Sequence, residues 1–198
     1  KTVNRRREKI MPNLQVVNQV KHDFVAYNNL LYYVARPDRC RNRMIGMTNV
    51  FFDFSEAPKN LVNKQVQRFR EYHSVNSRYA IHIIVCFSPD EVEYLSCNRV
   101  LEIGYFLAET EFKDCICFFA VHDHSTYEGT NKVYLHLDFM LIPFSIYDGR
   151  GYDCGKAGWY KIANDIKEYL KKFMPSSVIS THIIFPGRRE KNDLFNEI

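Results

Sequence analysis

Apolar positions recur along this chain at two periods, and each change of period marks an element. Asn13 to Gln19 reads as a short strand. From Lys21 the spacing of Phe24, Tyr27, Leu30, Leu31 and Val34, with Pro37 just beyond, predicts an amphipathic helix to Ala35. Met47 to Phe54 reads as a strand, and Lys59 to Tyr72 as a helix with Leu61, Val62, Val66 and Phe69 as its stripe. Arg78 to Phe87 is a strand, with Ile81, Ile83 and Val85 on one face and His82, Ile84 and Cys86 on the other. Ser88, Pro89, Asp90 and Glu91 make a helix start, from which a helix runs to about Thr110. Cys115 to Val121 and Tyr134 to Ile142 are apolar runs of buried-strand length. Tyr147 to Tyr152 carries an Asp-Gly turn of the hairpin kind. Gly158 to Phe173 is a helix ended by Pro175, Val178 to Phe185 a last strand, and Pro186 to Arg189 a basic turn.

No repeat, low-complexity stretch or linker divides this series. It implies an α+β fold, or two-layer α/β: a central, mostly antiparallel β-sheet of about five strands with helices covering one face. Residues 1–12 form a basic N-terminal arm, and 13–198 a single domain.

Polar groups break into the two central runs. His122 closes the first, followed by Asp123 and His124, and His136 and Asp138 sit inside the second. Buried without partners, such groups are costly. His136 and Asp138 are two apart and share a strand face. Paired strands would bring His122 to them, and two imidazoles and a carboxylate then form three ligands of an open divalent-metal site. The plainer alternative is a core histidine bonded to backbone and an Asp capping a turn. His82 falls near the same place if its face is the one that carries His136; a core-packed His82 is the alternative reading.

Composition changes the picture modestly. Hydrophobic residues are 46% of the 198 and aromatics 15%, which supplies a core and excludes wholesale disorder. A net charge of +4 suits nucleic acid as a partner without requiring it. The six cysteines form no CxxC pair and behave as small apolar residues; with no signal peptide or membrane segment, a reduced, cytoplasmic setting is expected. The chain begins at Lys1 rather than Met, and the expectation is a domain cut from a longer protein.

Two basic stretches invite phosphate. Arg5, Arg6 and Arg7 lie in the arm, a solvated terminus in one reading and a phosphate contact in the other, and Arg36, Arg39, Arg41 and Arg43 follow the first helix. A tyrosine at that helix end, Tyr32 or Tyr33, is a phosphate-facing nucleophile in one reading and an amphipathic packing residue in the other; with 13 tyrosines in the chain, composition does not choose.

Taken in order, these segments resemble a family. The helix ending Leu-Tyr-Tyr-Val-Ala-Arg, the segment His-Ile-Ile-Val-Cys-Phe-Ser-Pro, the strand ending Phe-Ala-Val-His-Asp and the strand with His-Leu-Asp-Phe-Met-Leu-Ile-Pro are similar to those of relaxases, the nucleases of mobilisation and conjugative transfer, in the MobP-like class of the HUH endonuclease superfamily. The likeness spans most of Asn13 to Phe173. It implies an enzyme that nicks and transfers single-stranded DNA at a plasmid or conjugative-element transfer origin, with accessory relaxosome proteins as further partners. Tyr33, with Tyr32 second and Tyr27 third, matches the nucleophile that forms a covalent 5′-phosphotyrosine link. His122 and His136 match two metal ligands. Asp138 stands where the family has a histidine, and a carboxylate there favours Mn²⁺ or Mg²⁺. Tyr134 stands where the family has an additional histidine. Asp123 or His124 would orient His122 or take the tyrosine proton. Three alternatives stay open: a replication-initiator nuclease of the same superfamily, a metal-dependent hydrolase acting through water, and a non-catalytic nucleic-acid-binding module.

Overall fold

The structure, a computed structural model, describes residues 13–20, 23–51, 53, 55–76, 78–126, 133–179 and 182–184. Its elements in chain order are β1 (Asn13–Val20), α1 (Phe24–Val34), β2 (Cys40–Thr48), α2 (Pro58–Tyr72), β3 (Ala80–Cys86), α3 (Cys97–Thr110), β4 (Cys115–Thr126), β5 (Val133–Ser145), α4 (Gly155–Leu170) and β6 (His182–Ile184). The strands form one six-stranded sheet in the order β2-β4-β5-β3-β1-β6. Only β1 and β6 pair in parallel; every other neighbouring pair is antiparallel.

The fold is α+β, with one strand more than expected and helices on both faces rather than one. Strand alternation is the reason. Along β3, β4 and β5 every described residue from Ile81 to Cys86, Cys115 to His122 and Leu135 to Ile142 is buried, so both faces need covering. One face, with Ile83, Val85, Phe119, Val121, Leu137 and Phe139, packs with Ile103 and Leu107 of α3 and Trp159 and Ile166 of α4. The other, with Phe118, Ala120, Met140 and Ile142, packs with Tyr27, Leu30, Leu31 and Val34 of α1 and Val62 and Val66 of α2.

Three local expectations are corrected. The strand expected at Met47 to Phe54 lies earlier, over Cys40–Thr48. It stops because Asn49 takes a left-handed turn (φ 58°) and its amide donates to the carbonyls of Lys113 and Cys115 at 2.8 and 2.6 Å. The helix expected from Ser88 begins only at Cys97, capped by Ser96, whose Oγ accepts from the Arg99 N–H. Ser88 and Glu91 do bond reciprocally, Ser88 N–H to Glu91 Oε2 at 2.9 Å and Glu91 N–H to Ser88 Oγ at 3.3 Å, yet that pair closes a turn, not a helix. The Asp-Gly turn joins no strand pair; it returns the chain for a single bridge between Phe144 and Gly151.

Phe119 sets how closely α3 approaches the sheet where β2 pairs with β4. Its ring stacks on Phe139 at 5.2 Å and fills the space where Gly46 and Gly104 lack side chains. A Cβ would come within 2.2 Å of the ring at Gly46 and within 2.4 Å at Gly104.

Candidate metal centre

The α1 face of the sheet turns polar where β3, β4 and β5 run side by side. Register decides what meets there. His122 of β4 pairs with His136 of β5, and Ala120 pairs with Asp138. Across β5, Asp138 pairs with Ile84 and Met140 with His82. His82, His122, His136 and Asp138 therefore share the face that α1 covers. All four are buried, and Asp138 and His122 have no exposed surface.

Asp138 is the centre of the group. Its Oδ2 lies 2.6 Å from His122 Nδ1 and 3.0 Å from His136 Nε2, and its Oδ1 lies 2.6 Å from His82 Nε2. Burial alone would raise its pKa, but contacts from His122, then His136 and His82, hold it well below the usual carboxylate range. His122 is the mirror case. Burial opposes its charged form, and the Asp138 carboxylate, followed by Cys40, outweighs that and lifts it to about 10.

The second nitrogen of His122 is fixed by α1. Its Nε2 lies 3.1 Å from the carbonyl oxygen of Val34. A carbonyl only accepts, so Nε2 carries the hydrogen and donates it. Nδ1 then faces a carboxylate oxygen, and two lone pairs do not meet at 2.6 Å; a positive charge, proton or metal, belongs there. Cys40, opposite His122 in the β2–β4 register, donates its thiol to the same carbonyl at 3.2 Å.

The donor set fits a divalent cation. One ligand atom each from His122, His136 and Asp138 lies within 4.8 Å of the others, on one sheet face, with the outer nitrogen of His122 tied to backbone as metal-binding imidazoles require. Two imidazole nitrogens and one carboxylate oxygen are donors that several divalent ions accept, so the set by itself names no single metal.

Tyr33 is brought to this group and Tyr32 is not. The Tyr33 ring, half-buried, stands edge-on to His82 and to His122 with centroids 5.8 Å away in each case. The Arg39 guanidinium lies 5.5 Å from its centroid. Burial and then the Asp138 charge raise the Tyr33 pKa, and Arg39 pulls it back down. Tyr32, one position earlier, is 58% exposed with Lys59 over its ring at 3.8 Å. Tyr27 is core, packed between Phe24 and Tyr79.

The remaining candidates divide. Arg36 forms an ion pair with Asp38 at 2.6 Å on the surface. Arg41 and Arg43 lie on β2, and His124 near the end of β4, with side chains outside the described set; Tyr134 stands likewise at the start of β5. Arg5, Arg6 and Arg7 lie outside the described residues. Asp123 is half-buried, its N–H directed to the Arg39 carbonyl at 3.4 Å. Sequence reasoning missed Cys40 and the Val34 carbonyl. Cys40 had a signal in its place just past the Pro37 turn; a backbone carbonyl has none.

All six cysteines are free thiols, and among the described residues no helix is long and apolar enough to cross a membrane. No protein-family model, curated protein or solved structure matches the chain.

Proposed function

We propose that this protein nicks single-stranded DNA and transfers the strand through Tyr33, as a metal-dependent relaxase-like nuclease of the HUH kind acting at a transfer origin. The observation that carries the reading is the position of Tyr33, whose ring edges meet two of the four members of a buried His–Asp cluster.

The chemistry is a phosphoryl transfer. The Tyr33 oxygen forms a bond to the scissile phosphorus as the bond to the 3′-oxygen breaks, and the strand keeps a free 3′-hydroxyl. The phenol gives up its proton to solvent, and the departing 3′-oxygen takes one up. The linkage conserves the phosphoester, so the 3′-hydroxyl of the same or another strand can reverse it. A phenol is a poor nucleophile at neutral pH, and its surroundings here raise its pKa further. A divalent cation held by His122, His136 and Asp138 would supply Lewis acidity toward the non-bridging oxygens and offset the Asp138 charge that Tyr33 feels. Arg39, beside the phenol, lowers the Tyr33 pKa and presents a guanidinium to an incoming phosphate. Replication initiators of the same superfamily share this chemistry and differ in the DNA they recognise.

A second reading has its own support. Three imidazoles occupy both oxygens of a fully buried carboxylate, which also describes a closed polar network within a nucleic-acid-binding module.

One experiment separates them. The protein is incubated with a pool of randomised single-stranded oligonucleotides and Mn²⁺, and covalent adducts are resolved on denaturing gels. The nuclease reading requires an adduct that EDTA abolishes and that Tyr33→Phe lacks. Binding that ignores EDTA, with no adduct, establishes the module reading instead; cleavage without an adduct identifies a water-dependent hydrolase.

A further inference from the structure

We infer that His82 is a positioning residue that holds the Asp138 carboxylate in the orientation the cation needs. This rests on the metal-dependent reading above and adds to it a role for a third histidine.

The two oxygens of Asp138 have different surroundings. Oδ2 faces His122 Nδ1 and His136 Nε2, the other two donors of the candidate metal centre. Oδ1 faces His82 Nε2 at 2.6 Å, from the neighbouring strand β3. A carboxylate oxygen accepts, so His82 Nε2 donates. That bond occupies Oδ1 and leaves Oδ2 directed at the other donors.

The geometry separates His82 from the ligands. The three donor atoms that cluster within 4.8 Å of one another belong to His122, His136 and Asp138. His82 reaches the group through the far oxygen of Asp138. It is itself 6% exposed, so water has little access with which to replace its hydrogen bond. A carboxylate released from it could rotate about χ2 and offer both oxygens or neither. The His82 ring also stands edge-on to Tyr33 at 5.8 Å, so one side chain braces both the ligand and the nucleophile. Outer partners of this kind alter metal affinity about 10- to 100-fold when lost.

The test is Mn²⁺ affinity, measured by calorimetry on the full chain for wild type and for His82→Gln, His82→Asn and His82→Phe, with circular dichroism in EDTA to establish folding. Glutamine sets a donating nitrogen about where Nε2 lies; asparagine is too short, and phenylalanine has none. The expected result is affinity within about threefold of wild type for Gln and about 10- to 100-fold weaker binding for Asn and Phe. Equal affinity in all four proteins overturns the positioning role while leaving the metal reading intact. Gln as weak as Phe overturns it too, because the imidazole itself would then be needed, as a ligand. Wild type that binds no Mn²⁺ removes this proposal and the metal-dependent reading together. Should Phe fail to fold, Gln against Asn decides.

Discussion

His122 donates its Nε2–H to the carbonyl of Val34 across 3.1 Å and 88 positions of sequence. The bond ties the last turn of α1 to β4, and Val34 is the residue after Tyr33. Tyr33 and the first imidazole of the cluster are therefore held in one register by a single contact.

Removing that imidazole should be costly to the fold as well as to metal binding. His122→Ala leaves the fully buried Asp138 carboxylate short of one of its two 2.6 Å partners and the Val34 carbonyl short of a donor. Breaking one side of a buried charged pair costs about 3–5 kcal/mol. Urea unfolding in EDTA should show a midpoint lowered accordingly, with the slope unchanged.

The metal-free protein should lose stability at both ends of the pH scale. His122 is raised from 6.5 to about 10 in the folded state, so its contribution is complete below pH 6.5 and disappears as pH climbs through 10. Asp138 is depressed, so its contribution is complete above the ordinary carboxylate value of 3.8 and is lost as pH falls below it. Melting temperature measured in EDTA from pH 3 to 11 should form a plateau between these limbs. Asp138→Asn should flatten both limbs relative to wild type, since it removes the charge on which each depends.

Mn²⁺ should stabilise the folded protein in proportion to its binding. At about 100 times the dissociation constant the gain is about 2.7 kcal/mol. The melting temperature should rise with Mn²⁺ and fall back with EDTA, and the rise should vanish in His136→Ala. A rise that persists in that variant would locate the ion elsewhere.

The two neighbouring tyrosines should behave oppositely. Tyr33→Phe removes the phenolic oxygen but keeps the ring against the cluster, and should abolish adduct formation while leaving Mn²⁺ affinity within about threefold, because no ligand is lost. Tyr32→Phe keeps its ring under Lys59 and should leave the rate unchanged. Single-turnover assays on one oligonucleotide measure both.

Packing around Phe119 should be as demanding as any hydrogen bond. Gly104→Ala puts a methyl 2.4 Å from the ring on the α3 side, and Gly46→Ala puts one 2.2 Å from it on the β2 side. Overpacking of a filled core costs about 1–3 kcal/mol. Each variant should unfold at lower urea, and Phe119→Leu should restore part of the loss in either background.

Much of this arrangement is legible in the amino-acid order. The i, i+3, i+4, i+7 stripe of Tyr27, Leu30, Leu31 and Val34 specifies α1, and the continuous apolar runs around Phe118 and Met140 specify β4 and β5. Where local signals compete, the pattern misleads. Ser88 and Ser96 both carry helix-start chemistry, and only the second is followed by a helix. Arg41 and Arg43 hide a strand, because β2 is drawn into the sheet by pairing with β4 and not by an alternating pattern of its own.

By itself the sequence determines that His136 and Asp138 share a strand face, because a period of two admits nothing else, and that the helix ending at Tyr32 and Tyr33 is amphipathic. Tertiary structure alone decides that His122 and His82 join that face, that α1 covers it, and that Tyr33 rather than Tyr32 turns inward. Those outcomes depend on register between strands and on which face of the sheet a helix lands. Both are settled by burying two apolar faces at once, a condition no local stretch of the chain encodes.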